Sequence, residues 1–370
     1  MRLPPFKLER FFARYEFNVE FVLCGSDCES HTIKELLALE PGAAERFEAQ
    51  WLGYTESAGS PTLRQEISRL YDGIAADQVL VHAGAEEAVF IFMNAVLTAG
   101  DHVVVHAPCY QSLIEIPRSL GCEVTPWKAQ EQRRWALDLE ELRHSLRSNT
   151  KVIVVNTPHN PTGYLMARED FQALNRLAET RGIVVFSDEV YRESEHRPED
   201  RLPAACEVND RAVSLGVMSK TYGLPGLRIG WIATRNQEVW GKMAALKDYS
   251  TICSSAPSEF LAELALRHRR LLVERNLRII GRNLARLDEF FAGHAERFAW
   301  QRPRAGPIAF PRLIDDEVET FCHELASRAG VLLLPGTVYD DTQNHFRIGF
   351  GRRNMPEAVG RLEEHLRKKR

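Results

Sequence analysis

The sequence predicts an α/β protein, with a large unit built on a mainly parallel seven-stranded sheet between helices and a smaller α+β unit. Three observations predict it. Between about residues 60 and 235, short β-branched runs alternate with helical patterns, the βαβα order of a parallel sheet covered by helices. The run Val152-Ile153-Val154-Val155 is continuously apolar, as expected of a strand buried on both faces. After residue 235 the rhythm changes to long helical patterns and short, scattered strand-like runs.

The elements follow in order. Ser60 and Pro61 open a helix through Leu63, Ile67 and Leu70, with Ser60 as cap and Pro61 at the first helical position. Strands are predicted at 79–81, 103–105, 123–125, 152–155, 183–186, 212–215 and 228–233. Helices are predicted through Val89, Phe92, Met93 and Val96, over 110–120, through Leu139, Leu142 and Leu146, and over 168–180. Two long helical patterns, 237–249 and 255–291, come next. Strand runs at 308–310, 331–334 and 346–348 then interleave with helices over 317–329 and 356–368. The reading divides the chain into an N-terminal arm (1–40) that joins the smaller unit, a large unit (41–275) and a C-terminal small unit (276–370).

Composition bounds the function. A chain of 370 residues suits two domains, and 44% hydrophobic with 26% charged residues suits a globular protein with a large core. A net charge of −4, with Lys and Arg dispersed, argues against non-specific binding to nucleic acid or an anionic membrane. The basic tail Arg367-Lys368-Lys369-Arg370 reads as a solvated helix end. No stretch approaches the roughly 20 apolar residues of a membrane span, and the first residues lack the apolar segment of a signal peptide. The seven cysteines are scattered, and only Cys24 and Cys28 lie close, with no His-rich segment beside them. They read as reduced thiols of a cytoplasmic protein, with no metal site.

Ligands of open parallel sheets sit beyond the carboxyl ends of the strands, so the residues after each strand carry the chemistry. After 79–81 come Gly84, Ala85 and Glu86. Small residues at a helix start leave backbone N–H groups free to approach a phosphate, which the helix dipole favours. After 103–105, Tyr110 suits stacking on a planar ligand. After 152–155, Pro158 and Pro161 bracket Asn160 in a rigid turn loop, around an amide that can donate or accept. After 183–186, Asp188 is a carboxylate at the end of a buried strand, costly there without a partner, and Tyr191 follows it. After 212–215, Ser219 and Lys220 precede a Gly/Pro-rich loop that ends in Arg228. A desolvated lysine near another cation has a lowered pKa and suits Schiff-base formation, and Arg228 offers paired donors to a phosphate. Each feature alone also suits a structural role. Jointly they match an anionic ring cofactor bearing an aldehyde, pyridoxal 5′-phosphate.

With these residues in view, the chain resembles the class I and II aminotransferases of the fold-type I pyridoxal-phosphate superfamily. Between Tyr54 and Gly351 the resemblance is carried by Tyr54…Gly59…Leu63-Arg64, Asn160-Pro161-Thr162-Gly163, Asp188-Glu189-Val190-Tyr191, Ser219-Lys220 with Arg228, and Phe346-Arg347. It implies that Lys220 is the Schiff-base lysine and the proton carrier at the substrate α-carbon. It implies that Asp188 keeps the pyridine nitrogen protonated, that Tyr191 and Asn160 bond the ring oxygen, and that Tyr110 stacks on the ring. Gly84, Ala85 and Glu86 would give backbone donors to the phosphate, with Ser219 and Arg228 adding side chains. Arg347, beside Asn160, would clamp the substrate α-carboxylate. Tyr54 matches a position that reaches the phosphate of a neighbouring subunit, which implies a homodimer. The implied reaction moves the α-amino group of an L-amino acid to a 2-oxo acid.

The chain departs from the family pattern in places. Val217 stands where many members have a phosphate-binding Ser. The segment Cys24-Gly25-Ser26-Asp27-Cys28-Glu29-Ser30 replaces the usual Gly-rich approach and is expected to line the substrate entrance. His159 is expected on the loop surface, with a place near the substrate as the alternative. The phrases from His159 to Gly163 and from Met218 to Arg228 also resemble cyclising enzymes of the capreomycidine synthase type. β/γ-Elimination or replacement, with or without ring closure, is therefore the second reading, although Asp188 to Tyr191 has the transaminase form. A cofactor-binding half of a transcription regulator is disfavoured, because only about forty residues precede the motifs. A cofactor-free scaffold would require every match to be coincidence. No second arginine stands out for an acidic substrate side chain, and Asp27, Glu29 and His159 suit a basic or polar one if they line the pocket.

Overall fold

The computed structural model describes residues 2–368; Lys369 and Arg370 of the basic tail lie outside the described residues. The seven predicted strands form one sheet: β1 (Val79–His82), β2 (His102–Ala107), β3 (Glu123–Lys128), β4 (Thr150–Asn156), β5 (Val184–Asp188), β6 (Val213–Val217) and β7 (Gly230–Ala233). Their spatial order is β1-β7-β6-β5-β4-β2-β3. Neighbours from β6 through β3 are parallel, while β7 runs antiparallel to both β6 and β1. The reversal brings the start of β7 to the rim where the other strands end.

Alternation along the strands buries both faces. Val103, Val105, Val152, Val154 and Phe186 pack with Val89 and Phe92 of helix Ala85–Val96 and with Met243 of helix Gln237–Lys247. Val104, Ile153, Val155 and Val185 face the other way, onto Phe171 and Leu174 of helix Arg168–Thr180. At the β1 edge, Val79, Val81 and Trp231 pack with Ile67 of helix Pro61–Ser68 and Leu261 of helix Ala256–Arg267. Each such buried apolar side chain contributes about 1.5–3 kcal/mol. Ser60 caps its helix as predicted, its Oγ accepting the Leu63 N–H at 3.4 Å.

Two sequence expectations change. The pattern over 255–291 is two helices, Ala256–Arg267 and Arg269–Ala292, broken at His268 (φ −105°, ψ 17°). The change of packing partner comes later, within the second helix: Leu261 and Leu266 before the break and Leu272 and Val273 after it share one apolar cluster with the β1 edge, whereas Ile280, Leu284 and Leu287 join a separate cluster with Phe321, Phe346 and Leu362. The run 331–334 is two short strands. Val331–Leu332 pairs in parallel with Phe21–Val22, and Leu334–Pro335 pairs antiparallel with Phe346–Gly349. Near the start of the chain is helix Lys7–Tyr15, which periodicity did not single out. Its buried Leu8 and Phe11 pack with Leu332, Leu334 and Phe310. No helix among the described residues is long and apolar enough to cross a membrane.

Candidate active site

A cavity of about 420 Å³ opens at the rim where β5 and β6 end and β7 begins. Lys220 lies just beyond β6 and lines it. Its Nζ donates to Ser26 Oγ at 2.8 Å. Burial lowers the Lys220 ammonium from the ordinary lysine range; Arg347 lowers it further, and Asp27 and Asp188 oppose the shift.

Asp188 closes β5, and its Oδ1 accepts the Val190 N–H at 3.2 Å. Burial pushes its carboxyl up to about 7, against that hydrogen bond and the charge of Lys220. Tyr191 lines the same cavity and is 1% exposed; among the described residues its hydroxyl makes no direct hydrogen bond, with Ser26 near enough to act on it. Asn156, at the end of β4, joins two loops: its Nδ2 donates to Asp188 O at 2.9 Å and its Oδ1 accepts the Asn160 N–H at 2.6 Å. Asn160 Oδ1 in turn accepts from Tyr339 Oη at 3.1 Å and from Arg347 Nη1 at 3.3 Å. Arg347 comes from strand Phe346–Gly349 and is 1% exposed. It also donates to Tyr339 Oη at 2.5 Å and to Cys24 O at 3.0 Å. All three of these partners are neutral, which leaves its charge for a ligand carboxylate.

The opposite end of the cavity is built by glycine contacts. Gly84 (φ 89°) caps helix Ala85–Val96, and Ala85 and Glu86 line the cavity. A Cβ on Gly84 would lie 2.5 Å from Arg228 Nη2. A Cβ on Gly230, at the start of β7, would lie 2.7 Å from Gly84 C and 2.8 Å from Ala85 N. Only glycine permits that approach. Arg228 Nη1 donates to Ser219 Oγ at 3.4 Å and to Pro225 O at 3.1 Å. Val217 lines the cavity, so an apolar side chain occupies that position. Tyr110 lines it as well; its hydroxyl donates to Glu9 at 2.9 Å, and its ring lies 4.8 Å from that of Phe6.

Tyr54 is not brought to this cavity. It is 87% exposed, beside the exposed Trp51 and Leu52. His159 is not on the surface, and it does not line the cavity: it is 1% exposed and stacks on His106 at 3.7 Å. Its ring nitrogens bond Pro108 O at 2.8 Å and Thr162 Oγ1 at 2.7 Å, so it braces the loops that carry Tyr110 and Asn160. Burial lowers it to about 3. Of the segment 24–30, Gly25, Ser26 and Asp27 line the cavity. Glu29 instead accepts the Arg353 N–H at 2.8 Å.

Sequence reasoning missed the rest of the wall. Leu8, Glu9 and Phe12 of helix Lys7–Tyr15 line the cavity, followed by Glu16. A second arginine, Arg352, also reaches it, with Nη2 donating to both carboxylate oxygens of Asp27 at 3.0 Å. The one available signal was its place five residues after Arg347, where the chain leaves the same strand.

The donor set fits pyridoxal 5′-phosphate. An unpartnered tyrosine hydroxyl suits the ring oxygen, and a carboxylate raised by burial suits a protonated ring nitrogen. A lysine amine suits the aldehyde, and a glycine-opened helix N-terminus with an arginine suits the phosphate.

Comparison with known proteins agrees. The family model for aminotransferase class I and II matches residues 27–362. Capreomycidine synthase from Streptomyces vinaceus is 30% identical over 374 residues, covering 98% of this chain and 94% of that protein. The crystal structure of a PLP-dependent aminotransferase from Streptococcus suis 89-1591 superposes with a TM-score of 0.93 at 34% identity, covering 100% of this chain and 99% of that one. The PLP-dependent cyclase OrfR superposes with a TM-score of 0.91 at 30% identity, over 100% and 99% of the two chains. The chain therefore belongs to the class I and II aminotransferase family of pyridoxal-phosphate-dependent enzymes.

Proposed function

We propose that this protein transfers the α-amino group of an L-amino acid to a 2-oxo acid. The observation that carries the reading is one cavity lined by Lys220, Asp188, the unpartnered Tyr191 hydroxyl and Arg347. Pyridoxal 5′-phosphate, when bound, supplies an electron sink for a carbanion at an amino-acid α-carbon. The chain supplies everything else. Lys220 would hold the aldehyde and would move the proton at the substrate α-carbon. Its lowered pKa favours the neutral amine that this step needs. Asp188 holds the proton on the ring nitrogen, and Tyr191 and Asn160 orient the ring oxygen. Tyr110 packs on the ring. Gly84, Ala85 and Glu86, with Ser219 and Arg228, hold the phosphate. Arg347, held by Tyr339 and Asn160, grips the substrate α-carboxylate.

The same reading includes a homodimer in which Tyr54 reaches the partner's phosphate end. Its support is the exposure of Tyr54 next to the apolar Trp51 and Leu52. The seven cysteines are all free, which suits a cytoplasmic protein. A second reading, elimination or replacement with ring closure, is favoured by the near full-length similarity to capreomycidine synthase and to OrfR. It uses the same residues.

Absorbance of the purified holoprotein, with Lys220→Ala as control, separates the two. Under transamination an amino acid bleaches the Lys220-dependent visible band and releases one equivalent of 2-oxo acid, and an added 2-oxo acid restores the band. Under elimination or cyclisation the amino acid is consumed and the band returns with no 2-oxo acid added. If no Lys220-dependent band forms after cofactor is added, both readings fail.

A further inference from the structure

We propose that Ser26 is a positioning residue for proton transfer at Lys220, its hydroxyl holding the lysine amine in the direction from which Nζ meets the substrate α-carbon. The inference rests on the aminotransferase reading above and adds a residue to its proton-transfer machinery.

The hydrogen-bond partner of the Lys220 amine is a neutral hydroxyl. Nζ donates to Ser26 Oγ at 2.8 Å, while Asp27, Asp188 and Glu9 act on the amine through their charge and Arg347 acts against them. A neutral acceptor fixes the direction of one N–H without locking the amine in its charged form, as direct contact with a carboxylate would. A base that takes a proton and gives it back needs that freedom. The Ser26 hydroxyl has one proton of its own to donate, and the Tyr191 hydroxyl is near enough for Ser26 to act on it. A hydroxyl turned that way runs one donor direction from Lys220 through Ser26 to Tyr191, and leaves the Tyr191 proton for a ligand oxygen.

The backbone on either side of Ser26 fixes where that hydroxyl lies. On one side, Arg347 Nε donates to Cys24 O at 3.0 Å, and the Gly349 N–H donates to Leu23 O at 2.8 Å. A Cβ on Gly349 would collide with Gly25 O, so only glycine lets the two segments lie this close. On the other side, the Cys28 N–H donates to Lys220 O at 3.4 Å, and the Glu29 N–H donates to Gly351 O at 2.9 Å. Ser26 therefore sits in the middle of a span, 24–28, pinned at one end to the strand that carries Arg347 and at the other to the backbone of Lys220. The span relates the amine to the guanidinium that would grip the α-carboxylate, and a misplacement of about 1 Å between reacting groups costs about a hundredfold in rate. Changing the Ser26 side chain removes the hydroxyl and leaves each of these backbone contacts in place.

The test compares the wild type with Ser26→Ala and Ser26→Thr. The first readout uses cofactor-stripped protein. The rate at which added pyridoxal 5′-phosphate raises the Lys220-dependent band is followed from about pH 6 to about pH 10, and its midpoint reports the Lys220 amine. Ser26→Ala loses an acceptor that favours the ammonium, so the midpoint should fall by about half a pH unit or more. Asp27, Asp188, Glu9 and Arg347, which also act on Lys220, stay in place. The second readout is turnover of the amino acid that the wild type consumes fastest, α-protonated and α-deuterated. Ser26→Ala should lower kcat about tenfold or more with KM within about twofold, and the isotope effect on kcat should rise because proton transfer becomes the slow step. Ser26→Thr keeps a hydroxyl and should hold the midpoint and recover most of the rate. The band at saturating cofactor reports that each variant folds and is loaded. An unchanged midpoint in Ser26→Ala overturns this inference and leaves the aminotransferase reading standing, as does a lower kcat with an unchanged isotope effect. A wild type that forms the band and consumes no amino acid overturns both.

Discussion

Replacing Asp188 with Asn should stabilise the cofactor-free protein at alkaline pH and destabilise the loaded one. The carboxyl is raised from 3.8 to about 7, mainly by burial. At 1.36 kcal/mol per unit, the full shift would correspond to about 4 kcal/mol. Asp188 is partly exposed along the cavity, and solvent screening reduces this to about 2 kcal/mol. The sign follows from a folded-state pKa above the unfolded one. Below about pH 4 the group is protonated in both states and costs nothing; as pH rises from 4 through 7 the unfolded chain ionises first, and stability is lost. Urea unfolding of cofactor-stripped protein at pH 8 should therefore find Asp188→Asn more stable by about 2 kcal/mol, a difference that fades towards pH 4. Adding pyridoxal 5′-phosphate should reverse the order, because only the aspartate offers an ionised partner to a protonated ring nitrogen. A cofactor-free Asn variant that is equal to or weaker than the wild type at pH 8 would refute the reasoning, as would a difference that does not depend on pH.

Three further outcomes are expected. Arg347→Lys should cut kcat/KM for α-amino acids by about a hundredfold or more while leaving the visible band, since it loses paired donors that Asn160 and Tyr339 hold in place. Gly230→Ala should weaken cofactor affinity at least about tenfold in a fluorescence titration and lower Tm, because its Cβ would press on the backbone of Gly84 and Ala85. Mixing inactive Lys220→Ala with Tyr54→Ala should recover up to about a quarter of wild-type activity, since half of the randomly assorted dimers carry one intact site; no recovery beyond the sum of the parts would remove Tyr54 from the partner's site.

The sheet was legible because each buried strand states its own identity. Val152 to Val155 cannot be solvated on either face, and Val103 to Val105 repeat the pattern. Strand-end residues were legible for a related reason: Asp188, Asn160 and Lys220 are polar groups placed where an apolar run stops. The unread wall consists of residues whose meaning is purely tertiary. Glu9 and Phe12 sit on a nine-residue helix whose role exists only because Leu8 and Phe11 dock on the small apolar cluster. Arg352 reads as one more surface arginine until Asp27 is found opposite it. His159 misled because a histidine between two prolines resembles a loop surface, whereas stacking on His106 and two hydrogen bonds satisfy it in the interior. The break at His268 was hidden because the apolar pattern continues across it: Leu266 before it and Leu272 and Val273 after it pack in one cluster.

The reversed strand β7 ties completion of the sheet to the shape of the cavity. β1 is fully buried and sits at an edge with β7 as its one strand neighbour. During synthesis it must wait roughly 150 residues for that neighbour, and closing so long a loop costs on the order of 4 kcal/mol in chain entropy. The contact that completes the pair is the same Gly230–Gly84 approach that shapes the end of the cavity proposed for the phosphate. A ligand held there acts as a latch on the last strand pair, adding about 2.7 kcal/mol at a hundredfold excess over its Kd. Removing the ligand would remove that contribution from the pairing of Val79–His82 with Gly230–Ala233.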